Sequence, residues 1–190
     1  MAGDIRYTNV WPLPAADPEA LQLDLPAIEA TRHSLARGAI TLHDSPMRTS
    51  IVRLLNDALA TELVCMLRYK RHHFTAHGLA SPKIADEFLI HARDESRHAD
   101  RLAQRITQLG GEPDFSPETL SRRSHADYDD ALGLEEMIWA DLVAERVAIE
   151  CYSQLITLIG ERDPTTRRLI EDILADEQQH ANELKDWLTG

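Results

Sequence analysis

Apolar residues recur every three or four positions through four long stretches of the chain, with glutamate set into the middle of each stripe. That period marks amphipathic helices turned towards a common core. The first stripe runs Ile51, Leu55, Ala58, Glu62, Cys65, Tyr69, and the second Ile84, Phe88, His91, Glu95, His98, Leu102, Ile106. The third is Ile138, Leu142, Glu145, Ala148, Tyr152, Leu155, Ile159, and the fourth Ile170, Ile173, Glu177, His180, Leu184, Trp187. Ser45-Pro46, Ser81-Pro82 and Asp163-Pro164 each put a capping residue before a proline, a helix-start signal. Gly78, Gly110-Gly111 and Gly160 are stop signals. Together these marks predict helices over 46–77, 82–109, 133–160 and 164–188.

The first two helices join through a short turn, and so do the last two. Between the pairs lies a longer connection, 110–132, containing Pro113 and Pro117. The prediction is an all-α protein: an antiparallel four-helix bundle over 46–190, running up-down-down-up with one long crossover. Residues 1–45, with Pro12, Pro14, Pro18 and Pro26, read as an N-terminal extension holding one short helix over 26–37, ended by Gly38. Its first 20 residues fit either a segment wrapping the bundle or a neighbouring subunit, or a disordered tail.

The stripes carry an internal repeat. Asp94-Glu95-Ser96-Arg97-His98 and Asp176-Glu177-Gln178-Gln179-His180 share the pattern Asp-Glu-x-x-His. Glu62 precedes Glu95 by 33 residues and Glu145 precedes Glu177 by 32. A single Glu-x-x-His arises by chance in a chain with this many glutamates and histidines. Two copies, each after Asp, each at core depth and each with an upstream core glutamate, do not. Buried carboxylates raise one another's pKa and are costly when unpaired. Two divalent cations would neutralise all four glutamates while the histidines stay neutral. The spacing i, i+3 brings Glu and His of one helix to one metal. Carboxylate with imidazole suits Fe, Mn or Zn better than Mg or Ca. Asp94 and Asp176 are placed to accept the outer N–H of the opposite histidine and so fix its tautomer.

Composition narrows the rest. The chain has 190 residues, enough for one full core, with 43% hydrophobic but only 5% aromatic residues. A net charge of −12 argues against direct DNA or RNA binding, which needs clustered Lys and Arg. It points to metal cations as partners, or to solubility alone. No apolar run approaches membrane-spanning length, and the first residues lack a secretory pattern. Cys65 and Cys151 form no disulfide framework. A cytoplasmic location is the expectation.

Four segments resemble the bacterioferritin and Dps-like branch of the ferritin superfamily over about residues 46–188. They are Leu55-Asn-Asp-Ala-Leu-Ala-Thr-Glu62-Leu with Arg68-Tyr69, Asp94-Glu-Ser-Arg-His98-Ala-Asp-Arg-Leu, Asp141-Leu-Val-Ala-Glu145-Arg-Val-Ala-Ile-Glu and Ile173-Leu-Ala-Asp176-Glu-Gln-Gln-His180. The resemblance implies a ferritin-like bundle with two iron ions per subunit. Glu62 and His98 would hold one iron, Glu145 and His180 the other, and Glu95 and Glu177 would bridge. Tyr69 matches a family tyrosine beside the site. Haem-binding relatives place methionine after the bridging glutamate of the second helix, where this chain has Ser96, so no haem is expected. The implied activity is a ferroxidase, an oxidoreductase acting on Fe(II) with O2 or H2O2. It would serve iron storage and detoxification in a homo-oligomeric cage, a 12-mer or 24-mer. Peroxide removal by a di-iron or di-manganese centre without storage, and a non-catalytic metal-binding shell, are the alternatives.

Lesser candidates have mostly bland readings. His91 fits a residue supporting the metals, an access path or a satisfied core histidine. Glu150 reads as a surface or supporting carboxylate. Cys65 and Cys151 read as buried thiols before redox groups. Arg71-His72-His73 with His77 reads as a solvated helix end. Trp11, Trp139 and Trp187 read as packing or subunit-contact residues.

Overall fold

The computed structural model describes residues 23–33, 38, 40, 46–77 and 81–189. The chain divides into two units, Met1–Gly38 and Ala39–Gly190. In the first, α1 (Leu25–Ala30) starts at Asp24, whose side chain accepts from the Ala27 N–H at 3.0 Å, and ends in a 3-10 turn, Thr31–His33. The helix predicted over 26–37 is therefore shorter, and residues 34–37 lie outside the described ones. So do residues 1–22, including Trp11, and the predicted stop at Gly78.

The second unit holds the bundle: α2 (Pro46–Thr75), α3 (Ser81–Gln108), α5 (Leu134–Ile159) and α6 (Pro164–Thr189), with a one-turn α4 (Leu120–Arg123) inside the crossover. Two apolar clusters give the helix directions. Leu55, Leu102, Leu155 and Ile170 belong to one, and Tyr69, Phe88, Met137 and Leu184 to the other. Chain order then runs from first cluster to second in α2 and α6, and the reverse in α3 and α5. That is the up-down-down-up arrangement. In every helix a glutamate lies between the two apolar ends, so the polar layer is closed above and below.

Helix ends follow local chemistry. Gly110, at φ +74°, ends α3: its N–H bonds Thr107 O and the Gly111 N–H bonds Ile106 O, both at 2.9 Å. Gly111 also packs too closely for a side chain, since a Cβ there would lie 2.5 Å from Val52. The crossover, bar its helix α4 a loop, is tied to the outer side of α2. Asn56 bonds Glu112 O and the Asp114 N–H at 3.1 and 2.7 Å, Arg68 bonds Asp127 O at 2.9 Å, and Arg71 bonds Asp130 O and Ala131 O at 2.8 and 2.9 Å. These side chains satisfy loop backbone groups that no ladder serves.

Asp163 caps α6 and is itself buried against α3. It accepts from the Thr166 N–H at 3.1 Å and from Arg105 at 2.9 and 3.1 Å. Burial alone would raise its carboxyl. The Thr166 hydroxyl and N–H, with Arg105, hold it below the usual range instead. Asp163→Ala leaves the Arg105 guanidinium buried without its counter-charge. It is expected to destabilise the fold by about 3–5 kcal/mol, read by urea denaturation. A shift below about 1 kcal/mol would show that the pair is replaceable.

Candidate metal centre

Each bundle helix contributes to one buried cluster: Glu62 from α2, Glu95 and His98 from α3, Glu145 from α5, and Glu177 and His180 from α6. None is more than 3% exposed, so bulk water does not reach them. The structure brings all six together as two overlapping groups. Glu62, Glu95, His98 and Glu177 form one, and Glu95, Glu145, Glu177 and His180 the other, with donor atoms in each group lying within 4.8 Å of one another.

The shared residues divide their oxygens between the groups. His98 Nδ1 lies 3.0 Å from Glu177 Oε1, 3.3 Å from Glu62 Oε2 and 3.9 Å from Glu95 Oε2. His180 Nδ1 lies 3.4 Å from Glu177 Oε2, 3.6 Å from Glu95 Oε1 and 3.8 Å from Glu145 Oε1. Glu95 and Glu177 thus offer one oxygen to each side. The outer imidazole nitrogens face carboxylates across the α3–α6 pair: His98 Nε2 lies 3.0 Å from Asp176 Oδ2, and His180 Nε2 lies 3.4 Å from Asp94 Oδ2. If Nε2–H is donated outward, each imidazole can offer its Nδ1 lone pair to a cation in the interior.

Two tyrosines clasp the unshared glutamates from opposite halves of the repeat. Tyr69 donates to Glu145 and Tyr152 to Glu62. Tyr152 was read from sequence only as a stripe residue. A signal for it was present: Tyr152 follows Glu145 by seven residues, as Tyr69 follows Glu62.

The donor chemistry fits cations. Glu62 Oε2, Glu95 Oε1, both Glu177 oxygens, His98 Nδ1 and His180 Nδ1 are buried without a hydrogen-bond partner. Native interiors rarely leave such atoms unsatisfied, and all six line the same space. Without a cation the cluster must hold protons. Burial and the neighbouring Glu177 and Glu95 charges raise the Glu62 and Glu145 carboxyls well above the usual range. Burial would lower the histidines, but the Glu177 and Glu95 carboxylates push His180 up to about 12 and His98 still further up. Glu95 is held low: burial opposes this, and the close Glu62 carboxyl and the two imidazoles outweigh it.

The lesser candidates separate clearly. Glu150 is exposed and bonded by Gln154 at 2.8 Å. Cys65 and Cys151 are free thiols, both raised by burial. The helix end 71–77 is not all solvated. His72 is fully buried, its Nδ1 2.8 Å from Asp141 Oδ2, while Arg68 Nε donates to Asp141 Oδ1 at 2.7 Å. A run of basic residues looked like a surface because its acidic partner lies 69 positions away on α5. Trp139 is 54% exposed, and Trp187 takes Lys83 over its ring at 4.6 Å. Among the described residues no helix is long and apolar enough to cross a membrane.

Known proteins are similar to this chain in sequence and fold. The Ferritin-like domain family matches residues 52–190. The bacterioferritin of Desulfovibrio desulfuricans is 31% identical over 134 residues, 70% of this chain and 71% of that one. A solved structure of that organism's bacterioferritin, described with its diiron site in different catalytic states, is 28% identical, with a TM-score of 0.67 over 75% of this chain and 80% of that one. The dodecameric thioferritin of Bacteroides fragilis, a bacterioferritin-related protein, is 29% identical, with a TM-score of 0.73 over 75% of this chain and 86% of that one. With the bundle topology and the doubled Asp-Glu-x-x-His cluster, these likenesses establish that the chain belongs to the ferritin-like family, in its bacterioferritin and Dps-like branch.

Proposed function

We propose that this protein is a ferroxidase that binds two Fe(II) ions per chain as substrate and oxidises them. The observation that carries the reading is the division of the Glu95 and Glu177 oxygens between two imidazole-bearing groups. Glu62 and His98 serve one ion, Glu145 and His180 the other, and Glu95 and Glu177 span both. Four carboxylates balance the charge of two divalent ions, so binding needs no extra anion. Asp176 and Asp94 hold the imidazoles with Nδ1 inward, and Tyr152 and Tyr69 fix the Glu62 and Glu145 carboxylates. Each Fe(II) gives up one electron. The pair reduces H2O2 and two protons to two waters, or O2 and two protons to H2O2. A buried, pre-formed cluster keeps both donors at one depth, so the two electrons leave together.

Storage in a closed homo-oligomeric cage belongs to the same proposal. Support comes from the dodecameric Bacteroides fragilis relative and from Leu67, Trp139, Val143 and Leu158, large apolar side chains exposed on α2 and α5. No haem is part of it: Ser96 offers a hydroxyl where a thioether would be needed.

The test is anaerobic addition of Fe(II) to the metal-free protein, followed by oxidant. A fast oxidation phase saturating at two irons per chain is the expected result. Saturation at one, or a rate equal to that of free Fe(II), would overturn the proposal.

A further inference from the structure

His91 lies one helical turn before Glu95 on α3 and is fully buried. Its surroundings repeat those of His98 and His180. In all three, Nε2 faces a carboxylate of the opposite helix in the α3–α6 pair: Asp176 at 3.0 Å for His98, Asp94 at 3.4 Å for His180 and Glu183 at 3.0 Å for His91. In all three, Nδ1 is buried without a hydrogen-bond partner. An imidazole that donates Nε2–H outward presents a bare lone pair on Nδ1, and burying that acceptor with no donor is costly. The His91 ring stacks on His180 with centroids 4.1 Å and planes 22° apart. The two in-plane Nδ1 lone pairs therefore run side by side, and sharing one ion requires the His91 ring to swing out of the stack. The Tyr69 ring meets the His91 edge at 5.1 Å and 85°. One donor atom each of His91, Glu145 and His180 lie within 4.8 Å of one another.

We infer that His91 is a third imidazole ligand of the centre, binding through Nδ1 the ion held by Glu145 and His180, with Glu183 orienting its ring. This rests on the reading of the six-residue cluster as a metal centre and goes beyond it, because it makes the two positions unequal. The repeat has no counterpart on α6: the residue four before Glu177 is Ile173, part of an apolar cluster. The Glu62 and His98 position keeps one nitrogen donor, while the Glu145 and His180 position gains a second. Imidazole is neutral, so the charge balance with two divalent ions is unchanged. An added nitrogen favours Co(II) and Zn(II) over Mn(II) at that position. Glu87, 3.6 Å from His91 Nε2, adds a second carboxylate on the outer side.

The rival account is a core histidine satisfied by Glu183 alone. Crystals of the whole protein soaked in Zn(II), mapped by anomalous scattering, decide between them. The expected map has two peaks inside the bundle, one of them about 2.1 Å from His91 Nδ1. A titration of the metal-free protein with Co(II), followed by visible absorption, is expected to show two unequal steps. His91→Leu removes a ligand, weakens the tighter step by more than about a hundredfold and leaves the other step in place. Glu183→Gln, which keeps the ring, weakens the same step less. A loaded pair with no zinc within bonding distance of His91, or two Co(II) steps that His91→Leu leaves in their original ratio, overturns this inference alone. A bundle without zinc overturns it together with the six-residue reading. The wild-type map stands even if the leucine variant does not fold.

Discussion

Glu95→Ala is expected to abolish the fast Fe(II) oxidation phase, lowering its rate by more than about a hundredfold, while the bundle still folds. Removing a group that only supports a metal ligand costs on the order of tenfold to a hundredfold. Glu95 stands to lose more, because its two oxygens face different halves of the cluster, Oε2 towards His98 and Oε1 towards His180. Alanine removes a donor from both positions at once and opens the distance between the ions. The variant should therefore bind fewer than two Fe(II) per chain, not merely oxidise two slowly. Folding should survive, because the apolar clusters above and below the site still pack the four helices. Helical circular dichroism is expected to match the parent, with a lower metal-free melting temperature near neutral pH, because Glu95, held low beside both imidazoles, stabilises the fold when ionised. Stopped-flow absorbance after mixing with oxidant gives the rate, and a surviving saturable phase would sink the proposed roles of the shared glutamates.

The second large effect is a change in pH dependence on metal loading. In the metal-free protein Glu62, Glu145, His98 and His180 all bind protons more tightly folded than unfolded. For such groups the folded state carries the excess protons, and stability falls as pH rises. The loss starts near the ordinary glutamate value of about 4.3 and the ordinary histidine value of about 6.5, and runs up to the raised folded values. Glu95 has the opposite sign: held low when folded, it contributes above the unfolded value and loses that contribution only in acid. Between about pH 5 and pH 9 the first set dominates, so the metal-free melting temperature should fall steadily. Divalent cations take the place of those protons, so affinity rises with pH and binding releases protons. The loaded protein should stay level or rise over the same range. At a hundredfold excess over Kd each position adds about 2.7 kcal/mol. Two positions raise the melting temperature by roughly 10–20 °C for a domain of this size. Calorimetry with and without chelator, at each pH, measures the gap. Parallel curves would show that protons and cations do not share the cluster.

Much of this centre was legible because its information is local. Glu and His three residues apart share a helix face, and an apolar stripe sets their depth, whatever the helix packs against. The same holds for the boundaries: Pro46, Pro82, Pro164 and the glycines after α3 and α5 mark helix ends within one or two residues. The interactions that local patterns do not encode join residues far apart in sequence. The partner that buries His72, Asp141, lies 69 positions away on α5, and the Tyr152 hydroxyl donates to Glu62, 90 positions away on α2. The one-turn helix at Leu120–Arg123 lies in a stretch whose prolines and polar residues masked it. It is held from outside, since Arg123 donates to Asn56 O on α2 at 2.8 Å.

By itself the sequence determined four helices, the crossover between their pairs, and six donors at one depth, because helical periodicity and end signals act within a few residues. Only the tertiary structure decided which oxygen of Glu95 and Glu177 meets which imidazole, that each tyrosine clasps the glutamate of the other half, and that His91 is buried with a donor atom close to Glu145 and His180. Helical period fixes the direction of a side chain about its own axis. The separation and register between axes are set by the apolar clusters above and below the site, and those form only when all four helices pack.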